Sequence, residues 1–137
     1  MRALQLCFLL FTFSQLVLCR STRTTTKEPI SSPEDVGKEV DKDIETHKVM
    51  VYSKTYCPFS KAMKSLLKPY TIKDMKVVEL DLEENMNEMQ DHLQSVTGIH
   101  TVPQLFVNGK FVGNFEQTEV KEETGELKKI LRDATAI

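Results

Sequence analysis

A chain of 137 residues makes room for one domain. Its 18 basic and 20 acidic side chains nearly cancel, to a net charge of −2, which gives no electrostatic footing for nucleic acid. Hydrophobic residues make up 40% of the chain, enough for a small core, and tryptophan is absent.

Residues 1–19 read as a secretory signal. Arg2 supplies a short positive start, and Ala3 to Leu18 is largely apolar. Val17-Leu18-Cys19 offers a small-residue cleavage site with Arg20 after it. Thr12, Ser14 and Gln15 interrupt the run, which falls short of the ~20 apolar residues that a spanning helix prefers. An uncleaved anchor is the alternative. In either case the domain is expected to face the lumen of the secretory pathway (ER or Golgi) or the outside, as a secreted protein or as a type II membrane-anchored one. Residues 20–33 are rich in Ser, Thr and Pro and cannot build a core, so they read as a linker. The folded domain is expected over 34–137.

Ser32-Pro33-Glu34-Asp35 opens a first helix, with Ser32 as N-cap and Pro33 at the first helical position. Val36, Val40 and Ile44 repeat every four residues and mark its apolar face. Val49 to Tyr52 is a first strand. A second helix runs from about Pro58 to Lys68, with Ala62, Leu66 and Leu67 on its apolar side, and stops before Pro69. Val77 to Leu80 is a second strand. Strand, helix, strand in that order implies a parallel pair joined by a right-handed crossover. From about Glu84 to Val96 a third helix buries Met86, Met89, Leu93 and Val96, with Thr97-Gly98 as its stop. Gln104 to Val107 is a third strand, Asn108-Gly109 a hairpin turn, and Lys110 to Val112 the returning strand. Gly113-Asn114 leads into a C-terminal helical region that Gly125 divides in two. The order fits a four-stranded mixed sheet with helices on both faces, an α/β architecture.

The stretch Lys54-Thr55-Tyr56-Cys57-Pro58-Phe59-Ser60 carries the chemistry. Cys57 falls where a strand hands over to a helix. The free N–H groups and the positive dipole end of a helix stabilise a thiolate, and Lys54 adds a positive charge. Both lower the thiol pKa, and the thiolate is the nucleophile. If the leader is removed, Cys7 and Cys19 go with it and Cys57 is the single cysteine left. No intramolecular disulfide can then form. An inert buried thiol is the alternative, and the setting of Cys57 beside Lys54 and ahead of Pro58 favours the reactive one. A dithiol motif would read Cys-x-x-Cys, and here Ser60 holds the fourth position. Ser60 is either a hydrogen-bond donor to the thiolate or an ordinary helix residue. His47, His92 and His100 show no zinc-like spacing, so no protein-held metal is expected.

Taken with Thr101-Val102-Pro103 and Val107-Asn108-Gly109-Lys110 downstream, this stretch resembles the glutaredoxins. The resemblance covers the chain from about Asp35 to the end and implies the thioredoxin-like fold. Cys-Pro-Phe-Ser makes it similar to a monothiol member built on the dithiol scaffold. It differs from the Cys-Gly-Phe-Ser class of monothiol members, which carry iron–sulfur clusters.

The resemblance implies a glutathione-dependent thiol–disulfide oxidoreductase with Cys57 as the catalytic nucleophile and Tyr56 and Ser60 as thiolate support. It implies glutathione as co-substrate and glutathionylated thiols as partners. Lys54 and Gln90 would hold the glycine carboxylate. Val102 would pair through its backbone with the cysteinyl part, beside a cis Pro103. Backbone N–H groups of Phe115 and Glu116, at a helix start, would bind the γ-glutamyl carboxylate. Asn114 is expected in the left-handed conformation of the family's glycine. Gln117 stands where the family has an aspartate for the ammonium, so Glu116 is its substitute or glutathione binds more weakly. A monomer is expected. The alternatives are a [2Fe–2S] cluster held between two copies by Cys57 and glutathione, and a redox-inactive adaptor of the same fold.

Overall fold

The structure, a computed structural model, describes residues 32–137. The signal expected over 1–19 and nearly all of the linker over 20–33 lie outside the described residues.

Among the described residues, five helices and four strands follow one another: α1 Pro33–Thr46, β1 Val49–Ser53, α2 Pro58–Leu67, β2 Met75–Glu79, α3 Met86–Thr97, β3 Gln104–Val107, β4 Lys110–Gly113, α4 Phe115–Glu123 and α5 Glu126–Asp133. A single 3-10 turn, Leu80–Leu82, follows β2. The strands form one mixed sheet in the order β2-β1-β3-β4. β1 and β2 run parallel, with Val49 opposite Met75 and Ser53 opposite Glu79. β3 runs antiparallel to both β1 and β4.

Side chains alternate across a strand, so the sheet has two apolar faces and each needs a cover. Met50, Tyr52, Val78 and Phe106 pack beneath Val36, Val40 and Ile44 of α1 and Met89 and Leu93 of α3. Val49, Val51, Leu105 and Val107 pack beneath Met63 and Leu67 of α2 and Leu127 and Leu131 of α5. This is the thioredoxin-like architecture, with helices on both faces. No described helix is long and apolar enough to cross a membrane.

Most element limits agree with the sequence reading, and Ser32 caps α1 through a bond from the Asp35 N–H. Four details differ. β2 begins two residues early, because pairing with Val49 extends it to Met75. The 3-10 turn occupies the chain up to Leu82, and α3 therefore starts at Met86 rather than Glu84. Its buried side is Met89, Gln90 and Leu93, while Val96 is 53% exposed. A polar side chain takes the place on the stripe that a purely apolar pattern would have filled. In α2 it is Met63 and Leu67 that are fully covered, and Ala62 and Leu66 only partly.

Two buried glutamines fix the segment between α3 and β3. Gln104, wholly buried, donates to the Ile99 carbonyl at 2.6 Å and the Thr101 carbonyl at 3.1 Å, and accepts from the Thr97 hydroxyl at 3.0 Å. Gln90 donates to the His100 carbonyl at 2.6 Å. Buried polar groups left without partners cost about 1–3 kcal/mol each. Gln104→Leu is therefore expected to lower the unfolding free energy by about 3 kcal/mol, read from the urea midpoint at unchanged slope. A midpoint equal to the parent's would mean that these groups find other partners.

Candidate functional site

α2 starts at Pro58, whose missing N–H costs nothing at the first helical position. Cys57 is the N-cap, in an extended conformation, and its side chain makes no cap bond. The first-turn amides are therefore left facing the sulfur. Partial burial pushes the Cys57 thiol up. The Ser60 hydroxyl, the Ser60 and Phe59 N–H groups and the Lys54 charge pull it down, and together they outweigh burial, so the thiol sits below its ordinary value. Ser60 is fully buried, and its oxygen also accepts from the Lys54 N–H at 3.3 Å. Accepting this bond uses a lone pair only, so the hydroxyl can also donate to the sulfur. Tyr56, expected to support the thiolate, is 67% exposed at the rim and is not among the groups that lower the thiol.

The sulfur lies 3.7 Å from the Val102 carbonyl oxygen, and the Val102–Pro103 peptide bond is cis. The Lys54 ammonium donates to Gln90 Oε1 at 2.9 Å, so the structure brings these two site residues together. Phe59, Thr101, Val102, Pro103, Asn114, Phe115 and Glu116 line a cleft of about 270 Å³ on the other side of the thiol.

α4 begins at this cleft. Asn114 is its N-cap with φ −77° and ψ −173°, an extended conformation and not the left-handed one expected. The left-handed region belongs to its neighbour Gly113, at φ +153°, where a Cβ would stand 2.7 Å from the Gln117 Cβ. Asn114 and Gln117 form a capping box. Gln117 N–H donates to Asn114 Oδ1 at 3.0 Å, and Asn114 N–H donates to Gln117 Oε1 at 3.1 Å. The N–H groups of Phe115 and Glu116 remain as first-turn amides with no intrahelical acceptor. Glu116 carries its carboxylate exposed at the same edge.

One residue of the site escapes the sequence reading. Asp81 accepts from the Thr55 N–H at 2.8 Å and from the Thr55 hydroxyl. The parallel register that sets Ser53 opposite Glu79, continued for two residues, brings Thr55 beside Asp81. The sequence shows the two strands but not their register. Among the described residues no group of three or more His, Cys, Asp or Glu is arranged to hold a metal ion.

The glutaredoxin family profile matches residues 49–112. An uncharacterised monothiol glutaredoxin of Caenorhabditis elegans is 52% identical over 103 residues, 75% of this chain and 70% of that protein. The chain belongs to the glutaredoxin family. Among solved structures, oxidised glutaredoxin 2 from Chlamydomonas reinhardtii superposes with a TM-score of 0.73 at 38% identity, over 78% of this chain and all of that one. A buckwheat glutaredoxin–glutathione complex does so with a TM-score of 0.73 at 28% identity, over 77% of this chain and 94% of that one. Glutaredoxins are thiol oxidoreductases, and among the described residues the Cys57 thiol, held below its ordinary value, is the group suited to that chemistry.

The pH dependence of iodoacetamide alkylation reads the thiolate directly. Its midpoint is expected below the range of an unperturbed cysteine. Ser60→Ala should move the midpoint up, because it removes the largest of the lowering interactions, and Lys54→Met should move it up by less. A Ser60→Ala midpoint equal to the parent's would mean that the hydroxyl does not reach the sulfur.

Proposed function

We propose that the protein is a glutathione-dependent oxidoreductase that works by a monothiol mechanism. The observation that carries this is the setting of Cys57: the free cysteine of the described residues, with a lowered thiol and Ser60 in the place of a resolving thiol.

The Cys57 thiolate attacks the glutathione sulfur of a mixed disulfide. A sulfur–sulfur bond forms to glutathione, the old disulfide bond breaks, and the substrate thiolate leaves and takes a proton. A second glutathione, as thiolate, then attacks the glutathione sulfur of this intermediate. It leaves as glutathione disulfide and restores the Cys57 thiolate. No internal thiol is needed in either step. Lys54 and Gln90 bind the glycine carboxylate. The Val102 backbone aligns the cysteinyl part beside cis Pro103. The Phe115 and Glu116 N–H groups receive the γ-glutamyl carboxylate, and the exposed Glu116 carboxylate meets the ammonium in place of the family's aspartate. The buckwheat protein, solved with glutathione, supports this choice of ligand. Phe59 and Phe115, with ring centroids 5.9 Å apart, wall the cleft between thiol and helix start.

The apolar segment of residues 1–19 supports delivery to the secretory lumen or beyond, where the same chemistry acts on luminal thiols. The poise of that compartment sets whether glutathionyl groups are removed or added. A cluster bridging two copies would draw one thiolate from each chain and the others from glutathione. Here Cys57 supplies that one ligand and is followed by the rigid Pro58 ring.

The assay is reduction of a glutathione–β-mercaptoethanol mixed disulfide, coupled to glutathione reductase. The parent is expected to turn over and Cys57→Ser to fall to background. Ser60→Cys should add the capacity to reduce insulin disulfides that the parent lacks. A parent with no activity would move the assignment to an adaptor of the same fold.

A further inference from the structure

The loop that carries Lys54 has little of its own to hold it. The Cys57 N–H donates to the Lys54 carbonyl at 3.1 Å and closes a turn. Thr55 and Tyr56 are exposed, so no apolar packing fixes the outer half of that turn. On its inner side the Ser60 oxygen accepts the Lys54 N–H at 3.3 Å, and what holds the outer half comes from the 3-10 turn after β2. Asp81 takes both donors of Thr55, its N–H at 2.8 Å and its hydroxyl. Asp81 is itself well anchored. Leu80 beside it is fully buried, and the Glu83 N–H closes the 3-10 turn on the Leu80 carbonyl at 3.1 Å.

Lys54 thus sits between a buried strand end at Ser53 and a residue tied at two points. With both flanks fixed, its side chain reaches Gln90 Oε1 at 2.9 Å. We propose that Asp81 is a positioning residue for the Lys54 ammonium: by gripping Thr55 it aims Lys54 at the glycine carboxylate of glutathione. This rests on the transfer reaction proposed above. The Thr55 hydroxyl hydrogen bond, then the Thr55 N–H and the nearby Lys54 charge, hold the Asp81 carboxyl below its ordinary range, so it remains an acceptor at neutral pH. An interaction equally present in the ground and transition states affects KM and not kcat. The tether is expected to act in that way, because Lys54 grips a part of glutathione remote from the reacting sulfur.

The test measures KM and kcat of the full chain with the glutathione–β-mercaptoethanol disulfide, for the parent, Asp81→Ala, Asp81→Asn and Thr55→Val. A second substrate is the same disulfide made from glutathione monoethyl ester, whose glycine carboxylate is masked. Asp81→Ala should raise KM roughly five- to tenfold, the worth of about one hydrogen bond, with kcat little changed. Asp81→Asn should stay at or below the parent's KM, because the amide can accept from the Thr55 N–H and donate to its hydroxyl. Thr55→Val, which keeps the N–H bond, should fall between and serves if Asp81→Ala fails to fold. On the ester substrate the Asp81→Ala penalty should vanish.

An unchanged KM in Asp81→Ala and Thr55→Val would overturn the inference, as would an equal penalty on the ester. The second result would show a role in the loop's general stability. Activity that survives Cys57→Ser, or a parent without activity, would take down the transfer reading and this inference with it. A parent that is active through Cys57 with Asp81→Ala unchanged takes down the inference alone.

Discussion

A thiolate at the edge of a folded domain is the condition the rest of this structure serves. Burial alone pushes the Cys57 thiol up, and the protein reverses that with donors. An apolar side chain has none to give, so they come from the buried Ser60 hydroxyl, two backbone amides and the Lys54 charge. The amides of Phe59 and Ser60 are available only because α2 starts at Cys57 and its first turn has no intrahelical acceptor. The buried Ser60 hydroxyl accepts the Lys54 N–H at a lone pair and keeps its hydrogen for the sulfur. Pro58 makes the sharp helix start possible without leaving a further N–H unmet. The position of α2 is in turn set by the parallel pairing of β1 and β2, which its crossover joins.

The opposite wall of the site is held by polar residues inside the domain. Three consecutive carbonyls, Ile99, His100 and Thr101, are taken by the side-chain amides of Gln104, Gln90 and Gln104 again. Irregular backbone beside a core must find partners for such groups. The partners here come from α3 and β3, so the approach to Val102 is fixed from both sides. Gln90 also accepts from Lys54. One side chain therefore links the loop before Cys57 to the loop before Pro103, two segments that meet only in the folded state. A local rearrangement of either loop is felt by the other through that amide.

Much of the fold was legible because it depends on local rules. Ser32 ahead of Pro33, the four-residue repeat of Val36, Val40 and Ile44, and Asn108-Gly109 each carry their own signal. Cys57 was legible for the same reason, as a cysteine between a strand and a proline-led helix. Gln90, Val102, Pro103, Phe115 and Glu116 came through family resemblance; Val102 lies against the sulfur, Pro103, Phe115 and Glu116 line the cleft, and Gln90 meets Lys54. What stayed hidden depends on register and on competition. Asp81 meets Thr55 only once Ser53 is known to lie opposite Glu79. Val96 carries an apolar side chain but falls outside the buried side of α3, where Gln90 is held by Lys54 and His100. Asn114 was read as a glycine substitute, and the adjacent Gly113 already provides the positive φ, leaving Asn114 free to cap.

The two helix starts at the cleft are built in opposite ways, and the difference bears on what each can hold. At α2 no side chain caps the helix, so the first-turn amides of Phe59 and Ser60 are left to the sulfur itself. At α4 the capping box closes the Asn114 and Gln117 N–H groups against each other's side chains. Only Phe115 and Glu116 remain there to meet an anion. An aspartate at position 117 could also accept from Asn114, but its charge would reach toward the ligand. Gln117 brings none, and its oxygen is committed to the cap and packed over Gly113, where any larger residue would collide. The negative charge present at this end is the exposed carboxylate of Glu116, one residue before Gln117. A helix start that offers two amides and one adjacent carboxylate suits a paired carboxylate and ammonium better than a simple anion, which Glu116 would repel.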